Sequence, residues 1–113
     1  MAISYFAFSI LPRAETQRRI DYLRAEKPDW FGGMLHVTDA EPLGRFDAEI
    51  MEPFGIAPEC KFAMHVLNKD WLAEIREALD YAYRVFGTKN LMITFELDSI
   101  HAPRHVYPEM KLG

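Results

Sequence analysis

Apolar and polar positions alternate along four stretches of this chain and recur at helical spacing along two others. In residues 2–11, Ala2, Phe6, Phe8 and Ile10 share one parity and Ile3, Tyr5, Ala7 and Ser9 take the other, the period-two pattern of a strand. Pro12 suits the first turn of a helix, where its missing N–H costs nothing. Residues 13–27 follow as that helix, with Ile20 and Leu23 inward, until Pro28 stops it. Gly32-Gly33 signals a turn and residues 34–38 a second strand. Residues 60–67 make a third, with Phe62, Met64 and Val66 on one face. Asn68 or Asp70 can cap the next helix, whose inward stripe is Trp71, Ile75, Ala78, Leu79, Ala82 and Phe86. Gly87 is placed to end it. In residues 90–98, Leu91, Ile93, Phe95 and Leu97 point in, while Met92, Thr94, Glu96 and Asp98 point out.

The element order β-α-β-β-α-β is the ferredoxin-like split βαβ pattern of an α+β domain. It predicts a four-stranded antiparallel sheet in spatial order 4-1-3-2, with two helices on one face and the other face open. Residues 39–58, with Pro42, Gly44, Pro53, Gly55 and Pro58, form an irregular loop insertion with a short helix near residues 46–51. Loops of this length are often functional or partly ordered. Residues 99–113, with Pro103 and Pro108, form a C-terminal tail over the body.

Composition narrows the classes. The 113 residues fit one domain, residues 1–113, that buries roughly 65% of its unfolded surface. No apolar run approaches the roughly 20 residues of a membrane span, and no secretory signal precedes the first strand. Cys60 stands alone, which excludes an internal disulfide and a cysteine-rich zinc site and fits a reducing cytoplasm. The net charge of -4 argues against nucleic-acid binding, which rests on phosphate neutralisation. Arg13, Arg18, Arg19, Arg24 and Lys27 interleave with Glu15, Asp21 and Glu26 and read as a solvated helix face. No glycine-rich phosphate loop or dinucleotide fingerprint occurs.

The outward parities place candidate chemistry on the open face. Tyr5, Ala7 and Ser9 come from the first strand, His36 from the second, His65 from the third and Glu96 from the fourth. Two imidazoles and a carboxylate are the ingredients of the facial triad that holds non-haem Fe(II), so His36, His65 and Glu96 are candidate ligands for Fe(II) or another divalent metal. Without metal, His36, His65 and Tyr5 form an acid–base or ligand-orienting cluster. The third reading is plain surface or an oligomer interface. His101, Arg104 and His105 of the tail are the candidate lid and substrate-binding residues. Pro103 argues against a helix that would pair His101 with His105 on a metal.

Residues 53–62, Pro-Phe-Gly-Ile-Ala-Pro-Glu-Cys-Lys-Phe, resemble the P-φ-G-x-H-P-x-x-x-F element of the DOPA 4,5-dioxygenase-like family. His105 and the closing Leu112-Gly113 are similar to that family's histidine-containing tail. The resemblance implies the ferredoxin-like fold and ring-cleaving dioxygenase activity. The family's other histidines are replaced here by Ser4-Tyr5-Phe6, Ala57 and Glu96-Leu97, so its metal ligands carry over only at His105.

Two functions follow. One is a cytoplasmic domain that binds a small molecule, aromatic ones included, on its open sheet face, a divergent ring-cleaving dioxygenase relative. The alternative is a non-enzymatic protein-interaction or inhibitor module that uses the sheet face or the acidic loop with Glu41, Asp47, Glu49, Glu52, Glu59, Phe46 and Phe54. A homodimer through the open face would cover Ile3, Met34, Leu67 and Met92.

Overall fold

Alternation along the chain is realised as one six-stranded antiparallel sheet in a computed structural model that describes residues 3–96 and 99–112. Ala2, Leu97, Asp98 and Gly113, placed above in the first and last expected strands and the tail, lie outside the described residues. The strands are β1 (Ser4–Ser9), β2 (Leu35–Val37), β3 (Glu41–Pro42), β4 (Cys60–Val66), β5 (Leu91–Phe95) and β6 (Ser99–His101). Their order is β2-β4-β1-β5-β6, with β3 also paired to β4. The expectation of four strands is corrected to six. The two additions are too short to carry a period-two signal: β3 sits in the loop segment and pairs Glu41 with Lys61, and β6 sits in the tail segment and pairs His101 with Ile93.

Helices α1 (Arg13–Glu26) and α3 (Leu72–Phe86) cover one face, and a short helix α2 (Asp47–Met51) lies in the loop. Pro12 precedes α1, and Gly87, at φ 89°, ends α3 in a backbone region open to glycine. Ile20 and Leu23 of α1 and Ile75, Ala78, Leu79, Ala82 and Phe86 of α3 pack on Leu35, Val37, Phe62, Met64, Leu91 and Ile93. Trp71 departs from that stripe. It belongs to a 3-10 turn (Lys69–Trp71) ahead of α3 and is 50% exposed.

Strand β1 reverses the expected faces. Tyr5 lies opposite Met64, and Ala7 lies between Phe62 and Ile93; directly opposed residues share a face. Tyr5, Ala7 and Ser9 therefore point at the helices, and Ser4, Phe6 and Phe8 point away. Both parities of this strand are apolar, so size decides: small Ala7 and Ser9 let α1 approach, and Ser9 Oγ lies 2.8 Å from Thr16 Oγ1 of α1. Phe8 is nonetheless buried. Its neighbour Lys61 reaches Asp47 of α2 at 2.6 Å, and Met51 of α2 is fully buried, which sets α2 over this end of the face away from α1 and α3.

The tail is pinned to the helical flank. Arg19, read above as part of a solvated face, is only 3% exposed. It donates to the carbonyls of Val85 (2.5 Å) and Met110 (2.8 Å) and pairs with Glu15 (3.0 Å) and Glu109 (3.2 Å). Arg18 also donates to the Leu112 carbonyl. Asp80 of α3 accepts from the Arg104 amide (3.2 Å) and the Tyr107 hydroxyl (2.6 Å). Burial pushes Asp80 up, but the Tyr107 and Arg104 donors outweigh it and hold the carboxyl below its ordinary value.

Candidate functional site

The register sets one row across the face opposite α1 and α3. His36 lies opposite His65, and His65 opposite Ser4. The two imidazoles stack, with centroids 6.1 Å apart and planes at 14°. His65 Nδ1 shares a 2.7 Å hydrogen bond with Ser4 Oγ. Glu96 follows the end of β5 in the left-handed region, at φ 53°. Its amide donates to the Ser4 carbonyl and its carboxylate accepts from the Ser4 amide, each at 3.1 Å.

This row corrects the expected site in three ways. First, the three side chains do not form a ligand set: Glu96 is committed to the Ser4 backbone, one imidazole nitrogen to the Ser4 hydroxyl, and no three His, Cys, Asp or Glu groups among the described residues are placed to hold a metal. Second, Tyr5 sits on the other face, edge-on to Phe95 (5.4 Å) and His101 (6.1 Å). Burial pushes its phenol above the ordinary value, against the opposing Arg76 charge. Third, the lid residues lie on the helical flank. His101 pairs with Ile93, whose side chain belongs to the helix-side core. Arg104 bonds Glu77 of α3 at 2.7 Å, and His105 lines a groove with Lys27, Trp30, Asp80 and Tyr81.

The loop shows a different arrangement. Glu41, Glu49, Glu52 and Glu59 are exposed, and Phe46 is 58% exposed beneath the Arg45 guanidinium at 5.4 Å. Phe54 is half-buried. Asp47 is the exception among the acids. Burial raises its carboxyl, but the Lys61 ammonium and the Gly44 amide outweigh that and lower it, so it fastens the loop rather than facing a partner. The apolar residues expected to seal a homodimer are largely covered within the chain: Met34 is buried and Ile3 and Met92 are half-buried, leaving Leu67 exposed.

The family model described as CDI System Immunity Component matches residues 1–99. The chain belongs to this family. A chain of the CdiA-CT/CdiI toxin and immunity complex from Burkholderia pseudomallei shares the fold, with a TM-score of 0.79 over 87% of this chain and 95% of that one at 15% identity. No curated protein matches the chain. Membership in the immunity-component family overturns the resemblance to the DOPA 4,5-dioxygenase-like family, and with it the support for a dioxygenase or a small-molecule-binding domain. The misleading element has a local cause. Pro53 enters a 3-10 turn (Glu52–Phe54), and Gly55, at φ 74°, closes it in the left-handed region ahead of β4. Chains that make this turn favour a proline at its start and a glycine at its left-handed close, so the pair recurs in unrelated sequences. No helix among the described residues is long and apolar enough to cross a membrane.

Sequence reasoning passed over Arg19, Asp80 and Ser4. Arg19 is one of several basic residues in a run and Asp80 one of several acids on a helix, so neither carries a pattern that marks burial. Ser4 would have been found from the β1–β4 register, which sets it opposite His65.

Proposed function

We propose that this chain is the immunity partner of a CDI toxin and neutralises it by binding it as a protein, in the cytoplasm of the cell it protects. The family match over residues 1–99 carries this reading. The Burkholderia pseudomallei structure is a toxin and immunity complex, and we extend that pairing to this chain. The net charge of -4 and the exposed carboxylates of the loop support a basic partner surface, since complementary charge speeds encounter and rejects wrong partners. The unpaired, buried Cys60 suits a reducing compartment. Strands β1, β2, β4 and β5 with α1 and α3 support a ferredoxin-like reading of the scaffold, acting as one domain.

The test is protection. The toxin domain of the same CDI system, produced alone, arrests growth; produced with this chain, it leaves growth intact and the two proteins purify together. Continued arrest, or recovery without a complex, overturns the reading. The double substitution His36→Ala with His65→Ala retains full protection. Its loss with the complex still formed would return chemistry to the histidine row.

A further inference from the structure

The turn that follows α1 (Asp29–Met34) and the 3-10 turn that precedes α3 enclose a groove of about 470 Å³ lined by Asp29, Trp30, Gly33, Met34, Asn68 and Trp71. Both tryptophans of the chain are on its walls. Trp71 is 50% exposed, and Leu72 and Leu67, next in sequence to the lining residues Trp71 and Asn68, are 53% and 57% exposed. Folding does not explain this surface, because the stripe of α3 is completed by Ile75, Ala78, Leu79, Ala82 and Phe86 without Trp71.

The groove is built rather than slack. Trp30 is held edge-on against Tyr81, with centroids 6.1 Å apart, and takes the Lys27 ammonium over its ring at 5.1 Å. Gly33 leaves the wall open: a Cβ there would meet nothing within 4 Å. Asp29 is the one charged side chain on the lining, it is exposed, and it makes no ion pair with any described residue. Asp70 and Glu74, beside Trp71 in sequence, are exposed and equally unpaired among the described residues.

The Trp30 ring already carries the Lys27 ammonium, so the Trp71 indole, the Met34 side chain and the Asp29 carboxylate are the groups that complement a long basic side chain. Its methylene stem packs on the apolar wall, its cation meets the Trp71 ring, and the same cation reaches the Asp29 carboxylate in a charge-assisted bond. We propose that the groove between Trp30 and Trp71 is the anchor point for the toxin, receiving a Lys or Arg side chain and the apolar residue beside it. This rests on the immunity reading above and adds the surface and the chemistry it recognises. The loop carboxylates then act at long range, and the groove supplies the central aromatic contacts in which interface energy concentrates.

Calorimetry with the purified chain and the purified toxin domain of its own system tests this. Trp71→Ala removes a half-exposed side chain and leaves the melting temperature unchanged; it weakens binding about 30-fold, the effect of losing an interface hot spot. Asp29→Lys weakens binding about 10-fold or more by setting like charge against the incoming cation. Val106→Ala, on the exposed tail, binds as the unsubstituted chain does. If the unsubstituted chain binds and both groove variants match it, the groove is overturned and the immunity reading stands. If the unsubstituted chain does not bind, both fall.

Discussion

The two flanks of the sheet treat charge and polarity in opposite ways. On the helical flank Arg19 is nearly sealed, and it is saturated by two carbonyls and two carboxylates. Asp80 is likewise buried between α3 and the tail. On the opposite flank the residue types usually associated with chemistry are accessible: His36 is exposed, His65 half-exposed, and their contacts are with each other and with Ser4. The lesson is that residue type is a weak guide to role. Histidines on a bare sheet face here make a stacked pair, whereas an arginine in an ordinary helical run is a structural keystone. Burying a charge is tolerable only when every donor finds an acceptor, and Arg19 meets that condition by collecting groups from α1, the end of α3 and the tail.

The contrast makes the sealed flank the fragile one. Arg19→Ala produces the largest loss, about 3 kcal/mol, at the low end for breaking a buried pair because Glu15 and Glu109 keep access to water. The fall in denaturation midpoint measures it; an unchanged midpoint would remove the asymmetry between the flanks. Asp80→Ala follows at about 2 kcal/mol, from lost hydrogen bonds to a charged acceptor. Its signature is local, with faster amide exchange at Arg104 and Tyr107 while the β1–β4 amides stay protected. The smallest effect is a pH dependence at His101. Burial, then the Arg76 charge, with Arg104 adding and Asp80 opposing, lower this imidazole below 6.5. As pH falls through 6.5 the unfolded chain takes up the proton before the folded one does, so stability is full above that value and declines below it. His101→Gln flattens the melting temperature between pH 7.5 and 5.5; the same slope in the variant would assign the dependence elsewhere.

Much of the scaffold was legible because periodicity and punctuation agree. Phe62 and Met64 of β4, Leu91 and Ile93 of β5 and the Ile75 to Phe86 stripe are buried as their spacing requires, whereas Val66 is half-buried and Phe95 is 38% exposed; Pro12 and Gly87 mark helix ends where expected. Strand β1 was misread because alternation tells which residues share a face but not which face meets the helices when both are apolar. Phe6 and Phe8 look like core, yet the closeness of α1 selects Ala7 and Ser9. Parity did put His36 and His65 on the face away from the helices, but it is blind to the turn at Glu96, where the backbone leaves the strand and the carboxylate folds onto Ser4. Tail placement was illegible for a different reason. Nothing periodic in residues 99–112 records that Asp80 and Arg19, far away in sequence, receive it. Trp71 satisfied the helical spacing but precedes the helix, and a residue in a 3-10 turn no longer falls on the stripe that a 3.6-residue repeat extrapolates.

The clasp at Arg19 also bears on the order in which the chain can mature. Its tail partners, the Met110 carbonyl and the Glu109 carboxylate, lie 91 and 90 positions along the chain from the guanidinium they receive, and closing so long a loop costs chain entropy before the contact repays it. Until that loop closes the cation keeps its water, even where Ile20 and Leu23 of α1 have met their core partners. A clasp of this span is of the kind that topology makes slow to form.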